Sequence, residues 1–173
     1  MRLGKLWALS SVTALALLLC GIALAAGSEH LNFKFDDRKW TLGFEHEDEG
    51  SWLKEYVLDG QSVDNWTELV TEQFFPDSQP KATARQFMES FVEKIHKASP
   101  KVVFQVLSEA DTDVLFQWQI KGDPNNQDQF ELDRIVSGRT GLHFLHYVIK
   151  PTMSDAQRTK WMDLLKAAKV VGA

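Results

Sequence analysis

The chain has 173 residues and a formal net charge of −5 at pH 7, with 44% hydrophobic and 25% charged residues. That length suffices for one domain that buries roughly two thirds of the surface exposed by its unfolded chain. Because an acidic protein repels phosphate groups, the charge argues against nucleic acid and anionic lipid as partners.

The first 26 residues have the pattern of a secretory signal peptide. Arg2 and Lys5 precede an uncharged run from Leu6 to Ala26, which ends in the small residues ALAA that signal peptidase prefers. We therefore predict that residues 1–26 are removed and that the mature protein is periplasmic or secreted, without stable membrane insertion. Two alternatives stay open: a retained membrane anchor, and a lipoprotein anchored through Cys20.

The remaining residues, 27–173, are predicted to form a single domain and contain no cysteine. A protein that enters an oxidising compartment without cysteine cannot form disulfide bonds. Its stability must therefore come from a packed core.

Three strands are predicted at the start of this domain. LNFKF (31–35) and WTLGF (40–44) alternate apolar and polar residues, which indicates strands with one buried face. DDRK forms the turn between them. The acidic segment EHEDEG (45–50) is predicted to be a solvated turn before a third strand, SWLKEYVL (51–58).

Two helices are predicted next. Apolar residues recur at helical spacing before Pro76, which predicts a helix with this buried stripe: Val63, Trp66, Leu69, Val70 and Phe74. That assignment makes Trp66 a core residue, since aromatic side chains at helical spacing usually pack. A second helix is predicted from 82 to 98, where another apolar stripe ends before Pro100.

Four strands and a final helix complete the predicted order. The strands are KVVFQVL, DVLFQWQIK, DQFELDRIV and LHFLHYVIK, with GDPNNQ and SGRTG as the turns around the third. Ser154 and Gln157 have the spacing of a capping box at the start of the helix. The order βββ-αα-ββββ-α predicts an α+β fold in which helices flank an antiparallel sheet, an α/β/α sandwich.

The sequence contains no recognisable catalytic or metal-binding motif. His143 and His146 are three positions apart on a predicted strand, so they point to opposite faces and do not share a metal ion. The acidic segments lack the ligand spacing of a calcium loop, and no nucleophile motif or phosphate-binding loop is present. We predict no catalytic residue, no cofactor and no metal, and the balance is against an enzyme.

Three residues are candidates for a binding site. Trp52 has no clear buried face in the predicted strands and is a candidate for an exposed aromatic contact. Arg134 lies between Leu132 and Val136, where alternation predicts an inward side chain that needs a partner. His146 is the third candidate, together with carboxylates of the loops.

Three segments give the chain a resemblance to the PsbP-like family, which includes bacterial envelope proteins of the DcrB type. They are KFDDRKWTLGF and EYVLDGQSVDNWTELV near the start of the domain, and GLHFLHYVIKPTMSDAQRTKWMDLLKAA at its end. The resemblance implies an antiparallel sheet between helices and a role in binding and assembly without a common catalytic set. It implies no individual site residue, because the segments contain no site motif.

These observations predict an exported envelope protein that acts by binding or assembly, with another protein as its partner. The alternative is a small periplasmic hydrolase or carbohydrate-binding enzyme that uses Arg134, His146 and loop carboxylates. A converging pocket would favour the enzyme, and an exposed apolar surface would favour the binding protein.

Overall fold

The computed structural model describes residues 29–76 and 82–172. The predicted signal peptide, residues 1–26, and the alternative lipid attachment at Cys20 lie outside the described residues. Within the described ranges, each helix is too short or too polar to cross a membrane.

The described residues form nine strands and two helices. The strands are β1 (His30–Asn32), β2 (Trp40–Asp48), β3 (Ser51–Leu58), β4 (Glu68–Pro76), β5 (Val102–Ala110), β6 (Asp113–Ile120), β7 (Gln129–Ser137), β8 (Gly141–Ile149) and β9 (Lys169–Val171). The helices are α1 (Ala84–Ala98) and α2 (Asp155–Ala167).

Seven of the strands form one antiparallel sheet in the order β2-β3-β4-β8-β7-β6-β5. Strands β1 and β9 pair separately, also antiparallel. Every residue of β8 is buried, because this strand lies in the centre of the sheet with one helix on each side. Phe144 of β8 packs in the cluster that contains α1, whereas Leu145 packs in the cluster that contains α2.

Helix α1 covers one face of the sheet over β5, β6 and β7. Thr83 caps its first turn: the Thr83 hydroxyl accepts from the N–H of Gln86, and the Gln86 side chain accepts from the N–H of Thr83. The buried residues of α1 pack on apolar side chains of the strands, including Phe116, Trp118 and Phe144.

Helix α2 covers the opposite face, where aromatic side chains dominate. The capping box predicted for Ser154 and Gln157 is confirmed. Trp161 stacks on Tyr147 with ring centroids 3.9 Å apart and meets the edge of Trp40 at 5.5 Å. These aromatic side chains therefore join α2 to the sheet.

The predicted α+β fold class, an α/β/α sandwich, was wrong. The protein is mostly one large antiparallel sheet with two short helices, and the predicted helix through Leu69 and Phe74 is strand β4. Glu68 through Phe74 are all buried, because other side chains cover both faces of β4, and the strand shows no simple alternation. Trp66 precedes β4 and is half-buried. The ammonium nitrogen of Lys150 lies over the Trp66 ring, 3.5 Å from the ring centroid.

Candidate functional site

Trp52 is half-buried on β3, on the side of the sheet that α2 covers. Its ring stacks on Phe74 with centroids 6.0 Å apart, and the ammonium nitrogen of Lys54 lies 5.4 Å from the ring centroid. These contacts account for the Trp52 side chain as part of the packed sheet surface.

Arg134 points towards the C-terminal end of α2. Its Nη1 donates to the carbonyl oxygens of Leu165 at 2.6 Å and Ala168 at 2.7 Å, and to that of Lys166 at 3.2 Å. Its Nε and Nη2 donate to the two carboxylate oxygens of Asp113. The guanidinium group thus satisfies carbonyl groups that a helix end leaves without intrahelical partners.

His146 lies on the other face of the sheet and is almost completely buried. Its Nδ1 is 2.8 Å from Glu131 Oε1 and 2.7 Å from Asp133 Oδ1. The ring of Phe91, from α1, lies at its side with centroids 6.0 Å apart. Because Arg134 contacts α2 and His146 contacts α1, the structure does not bring these two candidate residues together.

The buried charges around His146 shift one another's protonation. Burial disfavours the imidazolium, but the nearby charges of Asp133 and Glu131 and the hydrogen bond to Glu131 outweigh that cost and raise the pKa of His146 to about 9. Burial, with the charge of Glu131, raises the pKa of Asp133 well above its usual range. Burial likewise raises the pKa of Glu55, on the neighbouring part of the same face.

Two other buried carboxylates have hydrogen-bond donors. Glu68 accepts two hydrogen bonds from the guanidinium of Arg38, at 2.5 and 2.6 Å, and a third from the hydroxyl of Tyr147. Glu29 accepts from the backbone N–H of Arg139 at 2.8 Å and lies 3.2 Å from Nε2 of His143. These pairs tie the chain between elements and leave the carboxylates satisfied.

A narrow apolar recess lies between α2 and the sheet, with Phe33, Val70, Tyr147 and Trp161 among its lining residues. The space between its atoms, which includes a part open to solvent, is about 200 Å³, and none of it is wide enough for a water molecule. A substrate could not enter this recess without displacing α2.

The exposed apolar side chains lie at the edges of the sheet. Among the described residues, the large hydrophobic side chains with high exposure are Leu42 at 49%, Phe44 at 45%, Val103 at 59% and Val106 at 36%. The first two belong to β2 and the other two to β5, which are the two edge strands. Edge strands carry backbone groups that can pair with another chain.

Strand β2 directs part of its backbone away from the sheet. The N–H of Asp59 donates to the carbonyl of Lys39 at 3.0 Å, and Trp40 pairs with Leu58 in antiparallel register. Because hydrogen-bonded pairs alternate in such a ladder, Thr41 bonds to β3, whereas the N–H and C=O of Leu42 point outward. This strand therefore offers hydrogen-bonding groups to a further strand.

A β-bulge and an acidic segment shape the rest of this edge. The register shifts between Leu42 and Phe44, and a Cβ atom on Gly43 would lie 3.0 Å from a methyl group of Val63. Beyond the bulge, the strand continues through exposed carboxylates at positions 45, 47 and 48. We call residues 42–48 the β2 edge; it has an apolar half followed by an acidic half.

A family model for a small group of bacterial proteins of unestablished function matches residues 30–169. The chain belongs to this family. The matched range begins at β1 and ends at the first residue of β9, so the family spans the whole described fold apart from its terminal residues. Comparisons with curated proteins and with solved structures gave no match, and none supports a PsbP-like or DcrB-like assignment.

Sequence reasoning missed most of the β2 edge. It ended the strand at Phe44 and assigned residues 45–50 to a solvated turn, whereas β2 continues to Asp48 and the turn is at Glu49 and Gly50. Alternation marks a strand only where one face is buried, and the second half of β2 is exposed on both faces. The sequence therefore holds no periodic signal for this part of the strand.

Proposed function

We propose that this protein is exported to the bacterial envelope and acts there by binding a partner protein, not by catalysis. The observation that carries the proposal is the β2 edge, where Leu42 and Phe44 are exposed beside outward-facing backbone groups. The partner supplies an extended segment that pairs with β2 as an additional strand. In this mode, main-chain hydrogen bonds supply affinity and side chains supply specificity.

Strand β2 is favoured over β5, the opposite edge. Helix α1 packs against β5, whereas residues 42–48 of β2 are exposed throughout. On β5, Glu109 pairs with Arg85 at 2.9 Å. The negative charges of the β2 carboxylates are less well neutralised: the ammonium nitrogen of Lys54, on the neighbouring strand β3, lies 3.4 Å from Glu45.

The charge of the β2 edge defines the chemistry of the partner segment. Glu47 and Asp48 follow the apolar half of the strand and are both exposed. A segment that places apolar side chains beside Leu42 and Phe44 and lysine or arginine beside the carboxylates complements both halves. The partner is therefore an extended, basic strand.

The alternative of a small hydrolase or carbohydrate-binding enzyme has less support, because Arg134 and His146 lie on opposite faces of the sheet. The PsbP-like relationship stays a hypothesis that contributes nothing to the proposal. Anchoring through Cys20 stays the alternative to a free periplasmic or secreted protein.

Strand addition is tested with a synthetic peptide in which a valine-rich half adjoins a lysine-rich half, and with a peptide of the same length in which glutamate replaces lysine. We expect the lysine peptide to slow hydrogen exchange of the Leu42 amide and to shift the amide resonances of β2 and not those of β5. Leu42→Lys and Phe44→Lys should each weaken binding about tenfold or more. The matched control is Val103→Lys, which places the same charge on the other edge and should leave binding unchanged.

Equal binding of the two peptides, or an equal effect of Val103→Lys, would refute recognition through β2. A concentration-dependent dimer that Leu42→Lys dissolves would show that a second copy of the chain occupies the edge instead. Light scattering during gel filtration distinguishes that outcome from a monomer.

Export is tested by the mass of the protein recovered from the envelope of a bacterium that expresses the full chain. Cleavage after Ala25 or Ala26 is expected. A lipid-modified mass beginning at Cys20 would support the lipoprotein, and an uncleaved chain found in the cytoplasm would contradict export.

A further inference from the structure

Glu131, Asp133 and His146 form a compact group in the centre of the sheet, which we call the carboxylate–histidine cluster. Glu131 and Asp133 are two positions apart on β7 and point to the same face, and His146 of β8 lies directly opposite Asp133. The exposed fractions of the three residues are 6%, 0% and 2%. One donor atom from each side chain lies within 4.8 Å of the other two.

Hydrogen bonds within the cluster do not satisfy Asp133. His146 Nδ1 is 2.8 Å from Glu131 Oε1 and 2.7 Å from Asp133 Oδ1. A ring nitrogen carries at most one proton, and only Glu131 is aligned to accept it. Among the described residues, neither carboxylate oxygen of Asp133 has an aligned hydrogen-bond donor. A fully buried carboxylate in this condition must either hold a proton or meet another positively charged partner.

We propose that the carboxylate–histidine cluster binds one divalent transition-metal ion, through Nδ1 of His146 and one oxygen each of Glu131 and Asp133. One imidazole and two carboxylates suit ions of the series from Mn²⁺ to Zn²⁺. Calcium and magnesium fit less well, because they prefer ligand sets made of oxygen. A dication also balances the charges of the two carboxylates, which are costly to bury alone.

The spacing of the donor atoms fits such an ion. When ligands bind an ion at 2.0–2.2 Å, their donor atoms are about 3 Å apart at right angles and about 3.4 Å apart in the tetrahedron that Zn²⁺ prefers. The distances from His146 Nδ1 to the oxygens of Glu131 and Asp133, 2.8 and 2.7 Å, are close to the right-angle value. A tetrahedral ion would move these ligands apart by about 0.6 Å. A proton on His146 Nδ1 forms a hydrogen bond to the Glu131 oxygen alone, whereas a metal ion contacts the oxygens of Glu131 and Asp133 together.

The surroundings of the cluster indicate a closed site that is filled during folding. Phe144 lies against the His146 ring with centroids 3.6 Å apart, and Phe91 of α1 lies at 6.0 Å. These rings and α1 separate the cluster from solvent. Metal bound there adds its binding free energy to the stability of the fold.

The experiment uses untagged mature protein, unfolded in denaturant with a chelator and then refolded with Zn²⁺, Co²⁺ or no metal. We expect one Zn²⁺ per chain by elemental analysis, visible absorption bands with Co²⁺, and a higher melting temperature with either metal. Asp133→Asn should weaken Zn²⁺ binding by about 100-fold or more, because it removes a ligand charge. Glu72→Gln is the matched control: it alters a buried carboxylate on the opposite face and should retain the metal.

If Asp133→Asn does not fold, Glu131→Gln and the comparison of metal-loaded with metal-free wild-type protein decide the result. Wild-type protein that refolds equally well with and without each metal and retains no ion would overturn the proposal. Protons alone would then neutralise the cluster. Metal that binds equally to wild-type protein, Asp133→Asn and Glu131→Gln would lie elsewhere and would overturn it as well.

Discussion

Replacing Arg134 with methionine tests whether this partly buried charge stabilises the end of α2. The substitution keeps an apolar stem of similar length and removes all contacts of the guanidinium group. Nη1 donates to the carbonyls of Leu165 and Ala168 at 2.6 and 2.7 Å, and hydrogen bonds from a charged donor contribute about 1.5–3 kcal/mol each. The ion pair with Asp113, whose side chain is 44% exposed, adds about 0–1 kcal/mol.

Because water reaches part of the helix end once the arginine is gone, we expect Arg134→Met to lower the free energy of unfolding by about 3 kcal/mol. Arg134→Lys keeps the charge but cannot contact Asp113 and the carbonyls together, so it should lose about half as much. Urea denaturation measures both losses, and Arg134→Met should lower the midpoint by roughly 1–2 M.

Lys160→Met provides the control, because Lys160 lies on α2, the helix whose end Arg134 contacts. Lys160 is 46% exposed and approaches Asp36 only to 3.5 Å, so its loss should cost about 0.5 kcal/mol or less. If Arg134→Met were no more destabilising than Lys160→Met, Arg134 would not stabilise the end of α2. A role in ligand binding would then again be the better explanation of its position.

Three further substitutions test other features. Burial raises the pKa of Glu72 from 4.5 to about 7, so the stability of the wild-type protein falls as the pH rises through that interval. Glu72→Gln should therefore raise the free energy of unfolding by about 3 kcal/mol at pH 8 and change it little at pH 4. Urea titration at both pH values measures this, and an equal effect at each would contradict it. Ser154→Ala should cost about 1 kcal/mol through loss of the cap of α2, with the exposed Thr152→Ala as control in the same assay. Gly141→Ala should destabilise the protein by about 2 kcal/mol and lower its melting temperature, because a Cβ atom there would lie 2.2 Å from the carbonyl oxygen of Phe75. A variant that melts at the wild-type temperature would show that this clash does not occur.

Local signals predicted the helices and the hairpins of the C-terminal half. Helix α1 was predicted from 82 to 98 and runs from Ala84 to Ala98, and the cap of α2 is at Ser154 as its capping box indicated. These elements have one buried face or a specific end signal, so the residues around them carry enough information. Strand β4 has neither, because both of its faces are buried: Val70 packs in the cluster that contains α2, and Leu69 packs on the other face with Val57 and Val148.

The candidate sites depended on facts that are not local. Alternation predicted an inward Arg134, but the partner it meets is the end of a helix 31 residues further along the chain. Asp133 and His146 meet only because β7 and β8 pair in one particular register. The one signal in the sequence for such a cluster is a pair of acidic residues two positions apart in a buried strand, here Glu131 and Asp133. This signal does not identify His146 as the third residue.

The pairing of β1 with β9 makes the two ends of the domain depend on each other. Leu31 is 5% exposed and lies opposite Val170, so among the described residues the first strand cannot complete its strand pairing until the last one is present. During synthesis from the N-terminus, β1 must wait for nearly the entire chain before it can dock. Shortening the chain before β9 would therefore remove the strand that pairs with Leu31 at the other end, far away in sequence from the cut.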